Sequence, residues 1–450
     1  MLDDYNAIFQ TNVIDLFPVS AFQFIRSIIK VTSGLEPEQF TRDLLGSLFH
    51  ELIPQNVRHP VAAYYTNQAA ARLLVNLAGI RGEDRVADFA CRSGTLLVAA
   101  YESKAQSDSR ADAQSRHATY LKEEITGIDI MPFAAHLAVV QLALMNPSNW
   151  TDKVRVAIDD SLEKKPFEII KSLERHAVSP QKKLSQFQTV PKASDETNKG
   201  AISTDGIGTQ FELYKPDVIV MNPPFSKKQQ ISSKLRAHLN SLFSSQLKYL
   251  SNEIGYWGYF VLQANQFLTE GGRIALVVPS SILRHASSEK LRQLLRDQYK
   301  LEFVVGSSFR TAFSEDASWP DVLLVATKSK NLSQNCTFAM LNMQLNLENV
   351  KMVAETLRSG VEGPQILVNR VKQSDLKAQD WLPFLPGVEI DVSLLDFPDN
   401  APIVALSRIP KGARLIQGIR VESTNKIVNP KNTLISRERE MHALGNQNGK

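Results

Sequence analysis

The stretch RVADFACRSGTLLVAAYESK, residues 85–104, contains the pattern that decides the fold. Its first five residues are mostly apolar and predict a short strand, and the small residues within 91–94 predict a tight turn. From Thr95 onward the chain is rich in apolar residues and has no Gly or Pro, which predicts a helix. A strand, a tight turn and a helix in this order form the first half of a parallel β-α-β unit.

Further apolar segments repeat this alternation along the chain. Helices are predicted at 68–77, 95–104, 133–145 and 259–268, and strands at 85–89, 125–130, 153–158, 217–221, 273–278, 301–305 and 321–327. Almost wholly apolar strands that alternate with helices are typical of a parallel sheet covered on both faces. The last two strands follow each other without a helix, which predicts an antiparallel hairpin at one edge. We therefore expect an α/β fold with a mostly parallel sheet.

The pattern divides the chain into three regions. Residues 1–57 are predicted to be helical, because 40–53 place apolar residues at i, i+3 and i+4 before Pro54. Residues 58–340 form the predicted catalytic domain, with a flexible polar insertion at about 179–210. Residues 341–450, where the alternation fades, form a small C-terminal domain in this prediction.

The composition is that of an ordinary globular chain, with 43% hydrophobic and 22% charged residues, and it excludes a wholly disordered chain or a collagen-like fibre. Two cysteines exclude a disulfide-stapled mini-protein. No window has the ~18 uninterrupted apolar residues of a membrane span, and the N-terminus is acidic where a signal peptide is basic. We expect a soluble, cytoplasmic protein with no membrane partner. The net charge of +4 is too small to indicate a polyanionic partner by itself.

Two acidic residues at strand ends are candidates for binding a nucleotide-like cofactor. Asp88 begins the turn 88–96 at the carboxyl end of a strand, which is where α/β sheets bind nucleotides. Asp129 ends the next strand, farther along the chain than the roughly 20 residues of the dinucleotide fingerprint, which argues against an NAD enzyme. Two roles stay open for Asp129: ribose binding, and capping of the helix that starts after Met131 and Pro132.

The segment Asn222-Pro-Pro-Phe225 directly follows the apolar strand 217–221. Pro223 and Pro224 hold the backbone rigid, so the Asn222 side-chain oxygen and the next backbone carbonyl have a fixed direction. Two such acceptors can bind an exocyclic NH2 group and leave its nitrogen lone pair directed at an electrophile. Phe225 offers a face on which a flat base can stack. An ordinary Asn-Pro turn is the alternative interpretation.

Together these segments resemble the S-adenosylmethionine-dependent N6-adenine DNA methyltransferases, most of all the modification subunits of type I restriction systems. The resemblance covers roughly residues 38–330 and includes the helical lead-in 43–53, the segment 59–66, the loop 88–96, the acidic turn 160–162, the tetrapeptide 222–225 and the strand and helix within 258–283. It implies a Rossmann-like methyltransferase fold with S-adenosylmethionine as cofactor. The implied catalytic residues are Asn222, Pro223, Pro224 and Phe225. The implied cofactor contacts are Tyr65, Thr66, Asp88, Ala90, Ser93, Gly94, Thr95, Asp129, Ile130, Asp160 and Asn222.

Three positions depart from the family pattern. In the cofactor loop, Phe89 stands where the family has a proline, and Arg92 stands where the family has its first glycine. Asn67 follows Thr66 at a position where the family has a proline. An arginine where the backbone contacts the cofactor weakens binding unless its side chain points outward. The departures bear on cofactor affinity and leave the catalytic tetrapeptide intact.

The implied reaction is direct methyl transfer to adenine N6, with no covalent enzyme intermediate. The target base has to leave the duplex, and Phe225 is expected to stack on it. Five basic residues and no acid lie within 221–250, and we expect DNA phosphates to contact Lys227, Lys228, Lys234 and Arg236 among them. A second basic window at 406–440 indicates DNA or partner binding by the C-terminal region, and a solvated face is the alternative for both windows.

The expected partners are double-stranded DNA, a specificity subunit and a restriction or other defence-system subunit. Two other classes of function stay open: a methyltransferase acting on RNA or on a protein glutamine, and a degenerate methyltransferase fold that acts as a scaffold in a defence complex. The helical lead-in and Phe225 favour DNA over RNA or protein. The sequence lacks catalytic Ser, His or Cys arrangements and zinc-ligand spacing, so we expect neither a hydrolase nor a metal site.

Overall fold

The structure is a computed structural model, and it describes residues 26, 30 and 66–387. Within the last range the description leaves out residues 111–112, 147–150, 152, 172–200, 203–207, 227–230, 310–311, 315–319, 333–334 and 364. The predicted helical region 1–57, apart from residues 26 and 30, lies outside the described residues, as does most of the predicted polar insertion. The described residues belong to one compact unit.

The strands of the described chain fall into two sheets. In chain order they are β1 (Val86–Asp88), β2 (Ile125–Asp129), β3 (Arg155–Ile158), β4 (Ile169–Lys171), β5 (Ala201–Ile202), β6 (Gly208–Glu212), β7 (Val218–Met221), β8 (Arg273–Pro279), β9 (Tyr299–Ser307), β10 (Asp321–Lys328), β11 (Asn335–Leu341) and β12 (Ile366–Lys372). The larger sheet has the order β12-β11-β9-β10-β8-β7-β1-β2-β3, and the smaller has the order β4-β6-β5. From β8 to β3 neighbouring strands are parallel, while β10 is antiparallel to both β8 and β9. These pairings confirm the predicted α/β class, with a mostly parallel sheet and an antiparallel part toward one edge.

Helices cover these strands. They are α1 (Gln68–Ala78), α2 (Thr95–Ser107), α3 (Ala113–Thr119), α4 (Pro132–Ala143), α5 (Ser233–Leu242), α6 (Tyr256–Phe267), α7 (Ser281–Arg284), α8 (Glu289–Gln298) and α9 (Val350–Ser359). Helix α1 packs on α2, α9, β8 and β10, and α4 packs on β2 and β3. All residues of β1, β2, β3 and β7 are buried, and because successive residues point to opposite faces, both faces of the sheet are covered there. None of the described helices has the length and apolar composition needed to cross a membrane.

Local sequence signals account for the ends of these helices. The Asn67 side-chain oxygen accepts hydrogen bonds from the amides of Ala69 (2.8 Å) and Ala70 (3.4 Å), so Asn67 caps the start of α1. Gly79 ends the same helix in the left-handed conformation, with φ 61°. Pro132 occupies the first turn of α4, where its missing amide hydrogen has no helical partner to lose.

The larger sheet continues past residue 340, where the sequence predicts a separate domain to begin. Strand β11 pairs parallel to β9, and β12 pairs antiparallel to β11, so two further strands lie outside the predicted β9–β10 hairpin. The chain after β12 is also held to this unit, because Gln373 accepts a 2.9 Å hydrogen bond from the Leu301 amide and the Trp381 amide donates to the Leu283 carbonyl. Residues 341–387 therefore complete the sheet. DNA or partner binding is predicted for residues 341–450, and of these residues 388–450, with the basic window 406–440, lie outside the described residues.

Candidate active site

Four predicted site residues lie in a row along the carboxyl edge of the parallel strands. Asn222 follows β7, Asp88 ends β1, Asp129 ends β2 and Asp160 comes two residues after β3. Because these strands are neighbours in the order β7-β1-β2-β3, the row spans three strand spacings, roughly 15 Å. The carboxyl edge of such a sheet is where α/β folds bind nucleotide-like ligands.

The loop between β1 and α2 is held together by Asp88. The Asp88 Oδ1 accepts a 2.9 Å hydrogen bond from the Ala90 amide. Gly94 has φ 90°, a left-handed conformation that disfavours a side chain, and it directly precedes Thr95, the first residue of α2. The Ser93 hydroxyl is buried and has no hydrogen-bond partner among the described residues. This geometry confirms the predicted strand, turn and helix.

Arg92 occupies the loop position where the resemblance predicts a glycine, and its backbone has φ 50°. The left-handed conformation costs an L-residue roughly 1–2 kcal/mol, a cost that glycine does not carry. The Arg92 backbone amide donates a 2.8 Å hydrogen bond to Asp129 Oδ2. The turn therefore gives a physical reason for a glycine at this position, independent of contact with a cofactor.

Asp129 links this loop to the start of α4. While its Oδ2 accepts the Arg92 amide, its Oδ1 accepts the Met131 amide at 2.8 Å. The N-cap residue of α4 is Met131, so Asp129 does not have the helix-capping role that the sequence left open. Each carboxylate oxygen has a second lone pair, which leaves acceptor capacity for a ligand. The next residue, Ile130, is 46% exposed and adds apolar surface beside the carboxylate.

Burial raises the pKa of the three acids along this edge. The pKa of Asp88 is raised from 3.8 to about 8 by burial and by the negative charge of Asp129, while the Ala90 amide and the Arg92 charge act to lower it. Burial likewise raises the pKa of Asp129 and of Asp160. The Asp88 Oδ2 atom is buried and accepts no hydrogen bond from any described residue. A cationic ligand would favour the charged form of these carboxylates.

The acidic turn after β3 is attached to the loop after β1. The Asp160 Oδ1 accepts a 3.0 Å hydrogen bond from the Leu162 amide and so caps a short 3-10 helix. The Ser161 hydroxyl donates to the Phe89 carbonyl at 2.6 Å. From α6, the Gln263 amide group donates to the Ser161 carbonyl at 2.5 Å. These bonds fix the acidic turn relative to the loop that carries Asp88.

Asn222 is buried, with 2% of its surface exposed. Its Nδ2 donates hydrogen bonds to the Thr66 hydroxyl (2.9 Å) and the Ser314 hydroxyl (3.1 Å). Its Oδ1 is buried and accepts no hydrogen bond within the described part of the chain. The two donors of the amide are therefore occupied, and its acceptor is available for a hydrogen-bond donor from a ligand.

The residues after Asn222 pack against the start of α6. The Ser226 hydroxyl accepts a 2.8 Å hydrogen bond from the Tyr256 amide, and a Cβ at Gly255 would lie 1.9 Å from the Ser226 carbonyl oxygen. Only glycine permits this close approach. Phe225 is 7% exposed and belongs to the main hydrophobic core, so stacking on a base, which stays a prediction, requires more of its ring to be uncovered.

The other two departures from the family pattern have structural roles. The Asn67 backbone amide donates a 2.9 Å hydrogen bond to the Phe313 carbonyl, a bond that proline lacks the hydrogen to make. Phe89 is buried, and its ring packs against that of Phe267 with 4.6 Å between centroids. Both residues stabilise the backbone on either side of the candidate site.

The basic surface predicted to bind DNA is only partly described. Three predicted site residues lie outside the described residues, namely Tyr65, Lys227 and Lys228. Lys234 is exposed on α5, whereas the Arg236 guanidinium donates to the Ile254 carbonyl at 3.3 Å. This internal bond makes Arg236 a weaker candidate for a phosphate contact than Lys234, and both contacts stay predictions.

The structure adds Ser314 and Asp321, which the sequence did not indicate. Because β10 is antiparallel to both of its neighbours, β9 has the direction of the parallel strands, and the loop from β9 to β10 begins at their carboxyl edge. This loop brings Ser314 to Asn222. Asp321 begins β10; burial raises its pKa to about 6, and hydrogen bonding by Ser314 opposes this rise. The available signal was the long connection between the two predicted strands, since long loops in compact domains are often functional.

Comparison with known proteins identifies the family of the chain. The sequence profile described as N-6 DNA Methylase matches residues 40–360, well over half of the chain. The chain belongs to the N-6 DNA methylase family. The matched range contains the whole row of Asn222, Asp88, Asp129 and Asp160, and it confirms the resemblance inferred from the sequence.

Individual relatives of this N-6 DNA methylase chain are distant. The Type II methyltransferase M.BstVI of Geobacillus stearothermophilus is 21% identical over 123 residues, which are 27% of this chain and only 21% of that protein. The type I restriction-modification system methyltransferase subunit from Streptococcus thermophilus has a TM-score of 0.50 and 16% identity, and the match covers 80% of this chain and 67% of that one. For a modification subunit from Vibrio vulnificus the TM-score is 0.50 and the identity 15%, with 77% and 64% covered. At these identities the solved structures show a shared fold.

Proposed function

We propose that this N-6 DNA methylase is an S-adenosylmethionine-dependent enzyme that methylates the N6 amino group of adenine in DNA. The observation that carries the proposal is the arrangement of the Asn222 amide. Its NH2 group donates to two buried hydroxyls, and its buried oxygen accepts no hydrogen bond from the described residues. A buried acceptor without a partner costs free energy, so such an atom is expected where a ligand supplies the donor.

The acidic row fits a cofactor that carries positive charge. S-adenosylmethionine has a sulfonium and an ammonium group, and the Asp88 Oδ2 is a buried acceptor to which no described residue donates. We assign the ribose hydroxyls to Asp129, and the purine to the exposed face of Ile130 and to Asp160. The methionine part is assigned to the remaining candidates from the resemblance, namely Tyr65, Thr66, Ala90, Ser93, Gly94 and Thr95.

When bound, this cofactor supplies an electrophilic methyl group on its sulfonium. The Asn222 side-chain oxygen and the Pro223 carbonyl accept the two hydrogens of the adenine amino group, which fixes the nitrogen and directs its lone pair. The same oxygens stabilise the positive charge that develops on that nitrogen. The contribution of the protein is position and electrostatics, with no covalent bond to the enzyme.

Double-stranded DNA is the proposed substrate, and the target adenine has to be flipped out of the helix to reach Asn222. In this proposal Phe225 stacks on the flipped base, and the phosphates contact Lys227, Lys228 and Lys234. An ATP-dependent Type ISP restriction-modification enzyme, LlaBIII, bound to DNA shares the fold, with a TM-score of 0.52 and 12% identity. A specificity subunit and a restriction or other defence-system subunit are the proposed partners, because type I subunits are among the structural relatives.

A catalytically degenerate subunit, acting as a scaffold in a defence complex, is the second candidate. Arg92 is the observation that favours it, because a bulky residue at φ 50° occupies a turn in which the family has glycine. The intact Asn222 site favours the enzyme instead. No described residue donates to the buried Asn222 oxygen, and a bound substrate would supply the missing donor, whereas a scaffold binds no substrate there.

The test combines cofactor binding with methyl transfer. The full chain is titrated calorimetrically with S-adenosylmethionine and then incubated with methyl-labelled cofactor and, in parallel, unmethylated DNA, RNA or cell protein. We expect cofactor binding and label in DNA as N6-methyladenine, and no label with Asn222→Ala. Label confined to RNA or protein would refute the substrate. A wild-type chain that does not bind the cofactor would refute the enzyme and favour the scaffold.

A further inference from the structure

Two hydroxyl groups from distant parts of the chain hold the Asn222 amide. Thr66 lies just before α1 and Ser314 lies in the β9–β10 loop, and their oxygens accept hydrogen bonds from Asn222 Nδ2 at 2.9 and 3.1 Å. All three residues are buried, with 8, 0 and 2% of the surface of Thr66, Ser314 and Asn222 exposed. Hydrogen bonds shielded from water in this way are stronger than the same bonds at the surface.

The main chain keeps the two hydroxyls next to each other. Thr66 and Ser314 form an isolated antiparallel β-bridge, and the neighbouring Asn67 amide donates to the Phe313 carbonyl at 2.9 Å. The Asn67 side chain also caps α1, so the helix fixes the Thr66 side of the bridge. The hydroxyls are therefore placed by packed elements, as a pre-organised site requires.

The contacts favour one of the two orientations of the amide. An asparagine amide has two N–H donors, and here the two hydroxyls accept them. Hydrogen bonding by Ser314 acts to lower the pKa of Asp321, at the start of β10, against the larger effect of burial. An ionised carboxylate only accepts, which favours the orientation in which the Ser314 oxygen accepts from Asn222, as observed.

We propose that Ser314, together with Thr66, is a positioning residue for the methyl-transfer reaction, an assignment that rests on the proposed function. The two hydroxyls hold the NH2 group of Asn222, and this turns the Asn222 oxygen toward the amino group of the substrate. Without the Ser314 hydroxyl one amide hydrogen loses its partner and the side chain is free to rotate. A rotated amide would present an N–H to the substrate amino group and repel it. Thr66, which the resemblance assigns to the cofactor, acquires this second role.

The first test measures steady-state methyl transfer to DNA by the full chain. Ser314→Ala removes one hydroxyl, and Thr66→Val removes the other at nearly equal volume. We expect Ser314→Ala to lower kcat by about 10²-fold while KM for DNA and the cofactor Kd change by less than about threefold. Thr66→Val should lower kcat to a similar extent and also weaken cofactor binding, because Thr66 is assigned to both roles. Thr66→Ser keeps the hydroxyl and should retain most of kcat. Ser307→Ala is the control at the end of β9, just before the same loop, because the Ser307 hydroxyl donates to the Leu341 carbonyl.

Two outcomes of this test would overturn the assignment. One is a kcat of Ser314→Ala equal to that of the wild type. The other is a loss of kcat in Ser314→Ala that follows a matching loss of cofactor binding or of folded protein, because that pattern indicates a cofactor contact or a purely structural role.

The second test does not depend on activity. In protein labelled with ¹⁵N-asparagine, the side-chain NH2 signals of Asn222 are assigned by their disappearance in Asn222→Asp. We expect slow exchange of both amide hydrogens with solvent in the wild type and faster exchange in Ser314→Ala. Unchanged exchange in Ser314→Ala would refute the positioning role. Failure of the wild type to methylate DNA would refute the proposed function. The exchange measurement would still decide whether Ser314 holds the Asn222 side-chain amide.

Discussion

The Asp129 carboxylate accepts a 2.8 Å hydrogen bond from the backbone amide of Arg92, which ties the end of β2 to the loop that enters α2. The bond uses a main-chain atom of Arg92, so it survives replacement of the side chain. The backbone at this position is left-handed, with φ 50°. The chain therefore keeps a turn that suits glycine although it has an arginine there.

Arg92→Gly should be more stable than Arg92→Ala by about 1 kcal/mol, because alanine keeps a Cβ at a positive φ and glycine does not. Both variants remove the charge, so their comparison isolates the backbone. Urea unfolding of the two proteins measures the difference, and equal free energies of unfolding would contradict strain at this turn. The same two variants also test cofactor binding. Tighter S-adenosylmethionine binding in both indicates that the Arg92 side chain obstructs the cofactor site, and an unchanged Kd indicates that this side chain points away from the site.

Asn222→Ala should lower methyl transfer by about 10³-fold or more, since it removes an acceptor for the substrate amino group. The free energy of unfolding should fall by only about 1 kcal/mol, because the lost bonds are two neutral bonds to hydroxyls. Asn369→Ala on β12 is the matched control, as the Asn369 amide donates to the Phe384 carbonyl at 2.9 Å. A comparable loss of activity in both variants would contradict a specific role for Asn222.

The parallel strands and the residues at their carboxyl ends could be predicted from the sequence because their signals are local. The strand that ends at Asp88 and the helix that begins at Thr95 are separated by one turn, and the apolar run and the Gly94 turn identify both. Since parallel strands have their carboxyl ends on the same side, locating these strands also brought Asp88, Asp129 and Asn222 to one edge.

Two features could not be predicted, for physical reasons. Ser314 reaches Asn222 from 92 residues away, and this contact depends on the order of strands in the sheet rather than on any neighbouring residue. Strand β12 (Ile366–Lys372) forms the outer edge of the larger sheet, and only Ile366, Val368 and Val371 of its residues are buried. It therefore lacks the continuous apolar run that identifies the inner strands.

Asp88 should make the free energy of unfolding depend on pH. Burial raises its pKa from 3.8 to about 8, so between these values the folded protein holds a proton that the unfolded chain has lost. The stabilising effect of this proton is complete below the unfolded pKa and is lost as pH rises through the folded one, by up to about 1.4 kcal/mol per pH unit. Asp88→Asn does not titrate, and its amide oxygen can still accept from Ala90. We expect the stability of the variant relative to the wild type to increase with pH across this window.

Urea unfolding at several pH values measures this difference between Asp88→Asn and the wild type. The nearby charges of Asp129 and Arg92 are present in both proteins and largely cancel. A difference that does not change with pH would show that Asp88 has the same pKa in the folded and unfolded chain. The cofactor should act in the opposite direction: because its positive charge favours ionised Asp88, its affinity for the wild type should rise with pH over the same window.

Gly255→Ala should disturb the catalytic segment by contact alone. Its φ of −81° suits any residue, but a Cβ there would lie 1.9 Å from the Ser226 carbonyl oxygen, so one of the two backbones has to move. We expect a loss of stability of about 2 kcal/mol, a cost typical of overpacking. Because Ser226 directly follows the tetrapeptide, Asn222 should shift with it and kcat should fall by roughly tenfold or more.

Gly363→Ala is the control for this change, because a Cβ at Gly363 has no described atom within 4 Å and its φ is not in the left-handed region. Thermal unfolding and methyl transfer are measured for both variants. If Gly255→Ala loses stability but keeps its kcat, then the tetrapeptide holds its position without support from α6. In that case the placement of Asn222 has to come from Thr66 and Ser314 on its other side, and the combination of Gly255→Ala with Ser314→Ala should lower kcat no further than Ser314→Ala alone.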